Sequence, residues 1–473
     1  MSLLKQVAHN TSSQIIGKII STFLGLFAIA MMTRYLGVEK FGWYITTISF
    51  LSFIGILIDF GMTPVTAQML GENKFDKTKL FNNLLTFRFF SALFFLSIAP
   101  LFAIFFPYPH EVKVAIAFTA ISFFAIALNQ VFIGFLQEKL KMQIQATGEI
   151  ISRLILVIGL FLAIYNQAQF LTLMWIIILG SISYTFSLYL YIRKQTKINF
   201  EFNKNIWLSI ITKMWPITIG VIFNVIYLRG DVLLLSYFKA QTEVSIYGAA
   251  YRVIDIVTQT AMMIMGVMLP LLANSWAQNN KEEFKSRYQL AFDAMMIISM
   301  PMFIGLFLLS HELIILVAGE KFFVSGYALQ ILSIATLGVF LGGIFGHLAV
   351  AINLQKKVMW IYITNAFITL TGYMIFIPKY GMYGAAWMTV FSEFYTGIML
   401  VWFIKKKLMT KLNLNLFFKI LLSSLVMGIF IIFTKKLPVL LVIVLSALVY
   451  FLSLIATKAL SRDNIKDLLT LKK

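Results

Sequence analysis

Residues 11–63 read TSSQIIGKIISTFLGLFAIAMMTRYLGVEKFGWYITTISFLSFIGILIDFGMT, two apolar runs separated by one short polar turn. Each run is about twenty residues long, enough for a helix to cross the roughly 30 Å hydrocarbon core of a bilayer. Outward from this hairpin the same pattern recurs as far as Leu454. Spans are expected near 11–33, 43–63, 84–106, 112–136, 148–165, 171–192, 211–238, 246–271, 291–309, 327–351, 358–377, 381–403, 416–434 and 437–457. The fold class is therefore an all-α polytopic membrane protein with about 14 transmembrane helices.

Charge orients it. Of the 39 lysines and arginines, 26 fall in one set of alternate loops, with both termini, and eight in the other. The remaining five lie inside spans. Lysine and arginine are retained on the cytoplasmic side, so both termini are expected there. The formal charge of +20 then reflects loops facing an anionic leaflet rather than a nucleic-acid surface. Trp43, Tyr44, Trp207, Trp215 and Trp402 flank spans, as an interfacial aromatic belt does. The expected location is a bacterial cytoplasmic membrane.

Composition also removes several chemistries. The chain has no cysteine, which rules out disulfides and thiol catalysis. Its four histidines, His9, His110, His311 and His347, lack zinc-ligand spacing. No phosphate-binding P-loop motif occurs, and no cofactor is expected. Lys18 and the run ending Ala28-Ile29-Ala30 imitate a cleavable leader, but the apolar pattern continues through Met31 and Met32. The segment is therefore expected to stay.

The spans group as six, six and two. The expected domains are an N-terminal six-helix bundle over 1–192, a basic cytoplasmic linker over 193–210 and a second six-helix bundle over 211–404. Two additional helices and a basic tail, 405–473, follow as an appended hairpin. The outer turn after span one (Arg34–Tyr44) is weakly echoed after span seven (Ser236–Gly248), so the bundles are read as pseudo-repeats, a common transporter plan.

Four stretches carry a resemblance. RYLGVEKFG at 34–42, DVLLL at 231–235, IYGAAYR at 246–252 and PKYGMYGAA at 378–386 occur in register. Together they resemble the polysaccharide-lipid (O-antigen) flippases, the polysaccharide-transport branch of the superfamily that also holds multidrug antiporters and lipid II flippases. The resemblance implies translocation of an isoprenoid-pyrophosphate-linked glycan from the cytoplasmic to the outer leaflet. Its implied partners are that glycan and membrane lipids, with glycan polymerase machinery as a further candidate and no nucleic acid.

Charges inside spans cost about 2.5–3.5 kcal/mol each at a helix centre and mark sites that need partners or water. The basic ones are Lys18, Arg88, Arg153, Arg229 and Arg252; the acidic ones are Asp59, Glu149, Asp231, Asp255, Asp293 and Glu393. For Lys18, Arg88 and Arg153 two readings compete, snorkelling to the headgroups and pyrophosphate binding. In the resembled lipid II flippases cationic groups on spans one and eight line the cavity, which implies Lys18 and Arg252 here. Arg252 and Asp255, three apart, and Glu149 and Arg153, four apart, can each pair along a helix face. Asp231, Asp255 and Glu393 are candidates for coupling transport to an ion, with a neutral buried glutamate the rival for Glu393. Asn129, Gln130, Asn224, Gln259 and Asn365 read as interhelical hydrogen bonders, and Gly338, Gly342 and Gly346 as a packing stripe.

The function read from this is a flippase working by alternating access, not an enzyme. The alternative is a multidrug or cation antiporter of the same superfamily, which would favour an acidic cavity over these basic groups. A membrane-embedded glycan polymerase would need a longer outer loop than residues 310–326.

Overall fold

The Arg34–Gly42 turn hinges on one residue. Gly37 has φ 68° and ψ −176°, a conformation a Cβ would forbid. It divides α1 (Leu3–Asp59) into the two spans read from the sequence. Five residues on, a Cβ at Gly42 would overlap the backbone carbonyl of Gln241, so the motif's second glycine is a packing contact.

The computed structural model describes residues 3–59, 62–72, 74–408 and 412–459. After α1 come α2 (Met62–Gly71), α3 (Lys77–Ile104), α4 (His110–Glu138), α5 (Met142–Tyr165), α6 (Phe170–Ile192) and α7 (Lys204–Phe238). Then follow α8 (Gln241–Ala277), α9 (Lys281–Leu308), α10 (Ser310–Ala318), a 3-10 turn (Glu320–Phe322) and α11 (Ser325–Ala351). The series ends with α12 (Gln355–Leu408), α13 (Asn415–Thr434) and α14 (Val439–Ala456). Like α1, α12 is two helices joined by a glycine, Gly381 at φ 57°. With α1 and α12 counted as two each, and α2 and α10 too short to cross, the described residues contain fourteen membrane-length helices, as expected.

The helices extend beyond the apolar runs. α3 begins at Lys77 and α5 at Met142, six or seven residues ahead of the expected spans. Polar caps fix such ends: Asp76 accepts from the N–H of Lys79 at 2.8 Å, and Asn280 from that of Glu283 at 3.1 Å. The outer loop expected over 310–326 contains α10 and the 3-10 turn.

Packing gathers the chain into two compact units, Met1–Ser245 and Ile246–Lys473. In the first, α1 packs on α5, α5 on α6, α3 on α4, and α7 on α1, α2 and α3. Phe81 of α3 meets Phe132 and Phe135 of α4, while Gly17 lets α1 approach Ala146 of α5 directly. The grouping by repeats, 1–192, 211–404 and 405–473, is a proposal about sequence repetition and is separate from this packing.

In the second unit α11 and α12 form the most extensive helix pair. The glycine stripe works as read. Gly338 lies on the backbone of Glu393 and Phe394, Gly342 beside Thr396, and Gly346 beside Tyr362 and Leu400. Asn365 bridges the two halves of α12, donating to Ser392 O at 3.2 Å and Thr396 Oγ1 at 2.8 Å. The α13–α14 hairpin docks on α9 through a proline. Pro301 has no N–H for the carbonyl of Ile297, and Tyr450 of α14 donates to that oxygen at 2.7 Å.

Candidate functional site

Two charged side chains meet where α1 packs on α5, and a third lies farther along the same interface. Lys18 Nζ lies 3.4 Å from Glu149 Oε1, and Ser21 Oγ donates to the same oxygen at 3.0 Å. One turn along α5, the Arg153 guanidinium lies 3.8 Å from where a Cβ of Gly25 would stand. Gly17 and Gly25 thus bring the helices close and leave room for the arginine. Tyr184 of α6 packs over Gly148 behind the cluster.

The charges are held unequally. The expected pairing of Glu149 with Arg153 along α5 is not formed, because the carboxylate turns across the helix interface to Lys18. Arg153 is half-buried and has no hydrogen bond or ion pair among the described residues. The Lys18 side chain is 42% exposed and that of Glu149 19%. The interface therefore offers a free guanidinium at Gly25 and, seven residues earlier on α1, an ammonium that one carboxylate neutralises. A phosphate can take parallel donors from such an arginine and can displace the carboxylate from such a lysine.

Arg88 lies in a different environment. It is 1% exposed, and its Nε donates to Ala127 O at 3.0 Å while Nη1 donates to Ile58 O. It joins α3 to α4 and to the end of α1. The expected span 84–106 puts Arg88 four residues inside the apolar run, close enough to snorkel. With α3 starting at Lys77 it stands eleven residues in, about 16 Å along the helix.

The other named groups are dispersed. Arg229 is exposed on α7, whereas Asp231, two residues on, is fully buried and accepts from the N–H of Val232 at 2.7 Å. Arg252 and Asp255 form the expected pair on α8 at 3.5 Å. Glu393 is buried behind Gly338. Asn129 departs from its reading: both amide atoms are buried without a partner among the described residues. Asp59 and Asn224 lie outside the described side chains, as does the tail from residue 460.

Sequence reasoning missed Ser21 and Tyr184. Ser21 was findable, since it follows Lys18 by three residues and shares its face. Tyr184 carried no local signal. A cavity of 470 Å³ between α9, α10, α13 and α14 is lined almost wholly by apolar side chains such as Ile297, Pro301, Met427 and Ile443. It holds none of the charged candidates.

The model of a family described as polysaccharide biosynthesis protein matches residues 31–326, more than half of the chain. An uncharacterized membrane protein of Methanocaldococcus jannaschii, MJ1068, is 26% identical over 182 residues, 38% of this chain and 35% of its own length. The "Probable low-salt glycan biosynthesis flippase Agl15" of Haloferax volcanii is 24% identical over 162 residues, 34% of each chain. The chain thus spans about a third of the length of the curated relatives it matches. Among solved structures, lipid II flippase MurJ in an inward closed conformation superposes with a TM-score of 0.77 at 20% identity, over 94% of this chain and 99% of that one. With the four motifs in register, the fourteen membrane-length helices among the described residues and the family match over more than half of the chain, the chain belongs to the polysaccharide biosynthesis protein family.

Proposed function

We propose that this multi-pass membrane protein flips an isoprenoid-pyrophosphate-linked oligosaccharide from the cytoplasmic to the outer leaflet. The observation that carries the reading is Arg153, a half-buried guanidinium with no ion pair among the described residues, on the membrane-length α5 where it packs against α1. An uncompensated charge at such a place is expensive, and an anionic headgroup would offset that cost. In this reading Lys18 and Arg153 contact the pyrophosphate, Arg229 guides it from the exposed face of α7, Arg252 of the second unit is a separate headgroup contact, and Arg88 ties α1, which carries Lys18, to α3 and α4. Asp231, Asp255 and Glu393 are the proposed coupling groups. The bundles rock between inward-open and outward-open states while the lipid tail stays in the bilayer.

The experiment is a deletion strain in which lipid-linked oligosaccharide is measured in each leaflet. Accumulation inside, relieved by the intact chain, supports the reading; normal surface glycan in the deletion strain would remove it. Orientation has its own test. Reporters fused after Lys197 and Lys407 should label as cytoplasmic and those at Tyr108 and Lys379 as external, in a bacterial cytoplasmic membrane. A reporter on the wrong side breaks the proposed topology.

A further inference from the structure

The polar break between α6 and α7 is tied to α3 by a ladder of hydrogen bonds. Backbone N–H groups of Asn199, Glu201 and Asn203 donate to Asn82 Oδ1, Thr86 Oγ1 and Asn83 Oδ1 at 3.2, 3.0 and 2.7 Å. In return Asn82 Nδ2 donates to the Glu201 carboxylate at 2.9 Å. Asn82, Asn83 and Thr86 are buried beneath the segment. Alternate residues turn to α3, the spacing of a strand, but the partner is a row of helix side chains. Non-helical backbone lies at membrane depth only where protein satisfies its polar groups. The ladder supplies that along one edge.

The other residues of the segment turn outward. Phe200 and Phe202 are 65% and 70% exposed. The Phe200 ring lies 5.0 Å from Phe89 of α3, and that of Phe202 lies 4.8 Å from Trp207 of α7. The exposed apolar surface continues along α7 as Leu208, Ile211 and Trp215 at helical spacing. Exposed Arg193, Lys194, Lys197 and Lys204 flank the two phenylalanines in sequence and form no ion pairs among the described residues. Glu201, the carboxylate of this stretch, is engaged by Asn82.

We propose that residues 193–204 form an interfacial strap that seats Phe200 and Phe202 at the boundary between headgroups and acyl chains and binds anionic lipid headgroups through Arg193, Lys194, Lys197 and Lys204. Charge complementarity selects the occupant: basic groups that the protein leaves uncompensated attract an anionic leaflet. Continuity of the aromatic surface with the exposed face of α7 sets the depth. A soluble acidic protein would match the charges but would leave both phenylalanines in water. The inference rests on the membrane-spanning reading and not on the cargo.

The absence of cysteine makes the test direct. A bimane fluorophore is attached to Phe202→Cys, or to Phe200→Cys if the first variant is not monodisperse, in the full chain reconstituted in vesicles. The quenchers are phosphatidylglycerol or phosphatidylcholine brominated high on the acyl chain, with a label at Gln278→Cys in the α8–α9 turn as aqueous reference. The strap label should be quenched at least about twofold more than the reference. Phosphatidylglycerol should quench it at least about twofold more than phosphatidylcholine at equal density, and salt should weaken that preference. Replacing the four basic residues by glutamine should abolish the lipid preference while leaving the label shielded from aqueous iodide. Quenching equal to the reference, or equal for the two lipids, overturns the proposal. Neither outcome bears on glycan flipping, since no transport is measured.

Discussion

Arg88 and Arg153 are the same residue type, each eleven residues into a membrane-length helix, and the protein treats them oppositely. Arg88 is enclosed, and its guanidinium is taken up by main-chain carbonyls of Ala127 and Ile58. Arg153 is half-buried beside Gly25 with no hydrogen bond or ion pair among the described residues. Backbone oxygens are fixed by the helices that bear them, so a charge they satisfy behaves as part of the frame. A charge met only by mobile side chains, or by none, stays available to a ligand. Position in the chain does not separate the two cases; the neighbouring helix does.

The largest expected effect falls on Arg88. Arg88→Ala removes two charge-assisted hydrogen bonds and leaves a void, costing roughly 3 kcal/mol or more. Thermal unfolding in detergent should show the loss, and Arg88→Lys should recover little because one ammonium cannot reproduce the fork. A variant of unchanged stability would erase the contrast. Next comes Arg153→Gln, where the frame should hold to within about 1 kcal/mol. Export of lipid-linked glycan into the outer leaflet should nevertheless fall about tenfold, equivalent to about 1.4 kcal/mol. Full complementation at normal protein level would remove Arg153 from the substrate path.

Tyr450→Phe tests whether a main-chain partner gives the same rigidity elsewhere. It leaves the carbonyl of Ile297, already without a helical donor because of Pro301, unbonded. The expected cost is about 1 kcal/mol, read as faster proteolysis of the α13–α14 hairpin. Unchanged protection would mean that the hairpin is held by apolar packing alone.

The smallest effect is expected at Glu72 and Lys213, a pair at the polar rim. The Lys213 ammonium holds the Glu72 carboxyl below its ordinary value. Because the folded value is the lower one, the contribution to stability is present above the ordinary glutamate range and is lost as pH falls through the depressed value. Lys213→Met should remove that small contribution at neutral pH, leave stability below the depressed value unchanged, and so flatten the acidic limb of the profile. A profile identical to that of the natural chain would assign the limb to other carboxylates.

Much of the candidate site was legible before any coordinates. Lys18, Arg153 and Glu149 were visible as charges in apolar runs, and the Arg252–Asp255 pair followed from their spacing on one helix. The partner of Glu149 was not legible. An acid four residues before a base favours pairing, but that rule covers one helix alone, and α1 places Lys18 across the interface. The depth of Arg88 along its helix was not legible for a related reason: hydropathy marks where apolar residues begin, whereas its helix starts earlier, at a polar cap on Asp76.

The sequence by itself determined the all-helical class, the fourteen membrane-length helices and the glycine turns at Gly37 and Gly381. These depend on local properties: twenty apolar side chains favour a spanning helix wherever it packs, and a positive φ combined with an extended ψ, as at Gly37 (φ 68°, ψ −176°), calls for glycine. Only the tertiary structure decided which charge is framework and which is free, that α7 packs with the first unit, and that the 193–204 segment is strapped to α3. Those outcomes depend on which polar atom of another helix comes within about 3 Å. Contacts of that kind join residues 131 positions apart between Lys18 and Glu149 and 153 apart between Ile297 and Tyr450, and no local pattern encodes them.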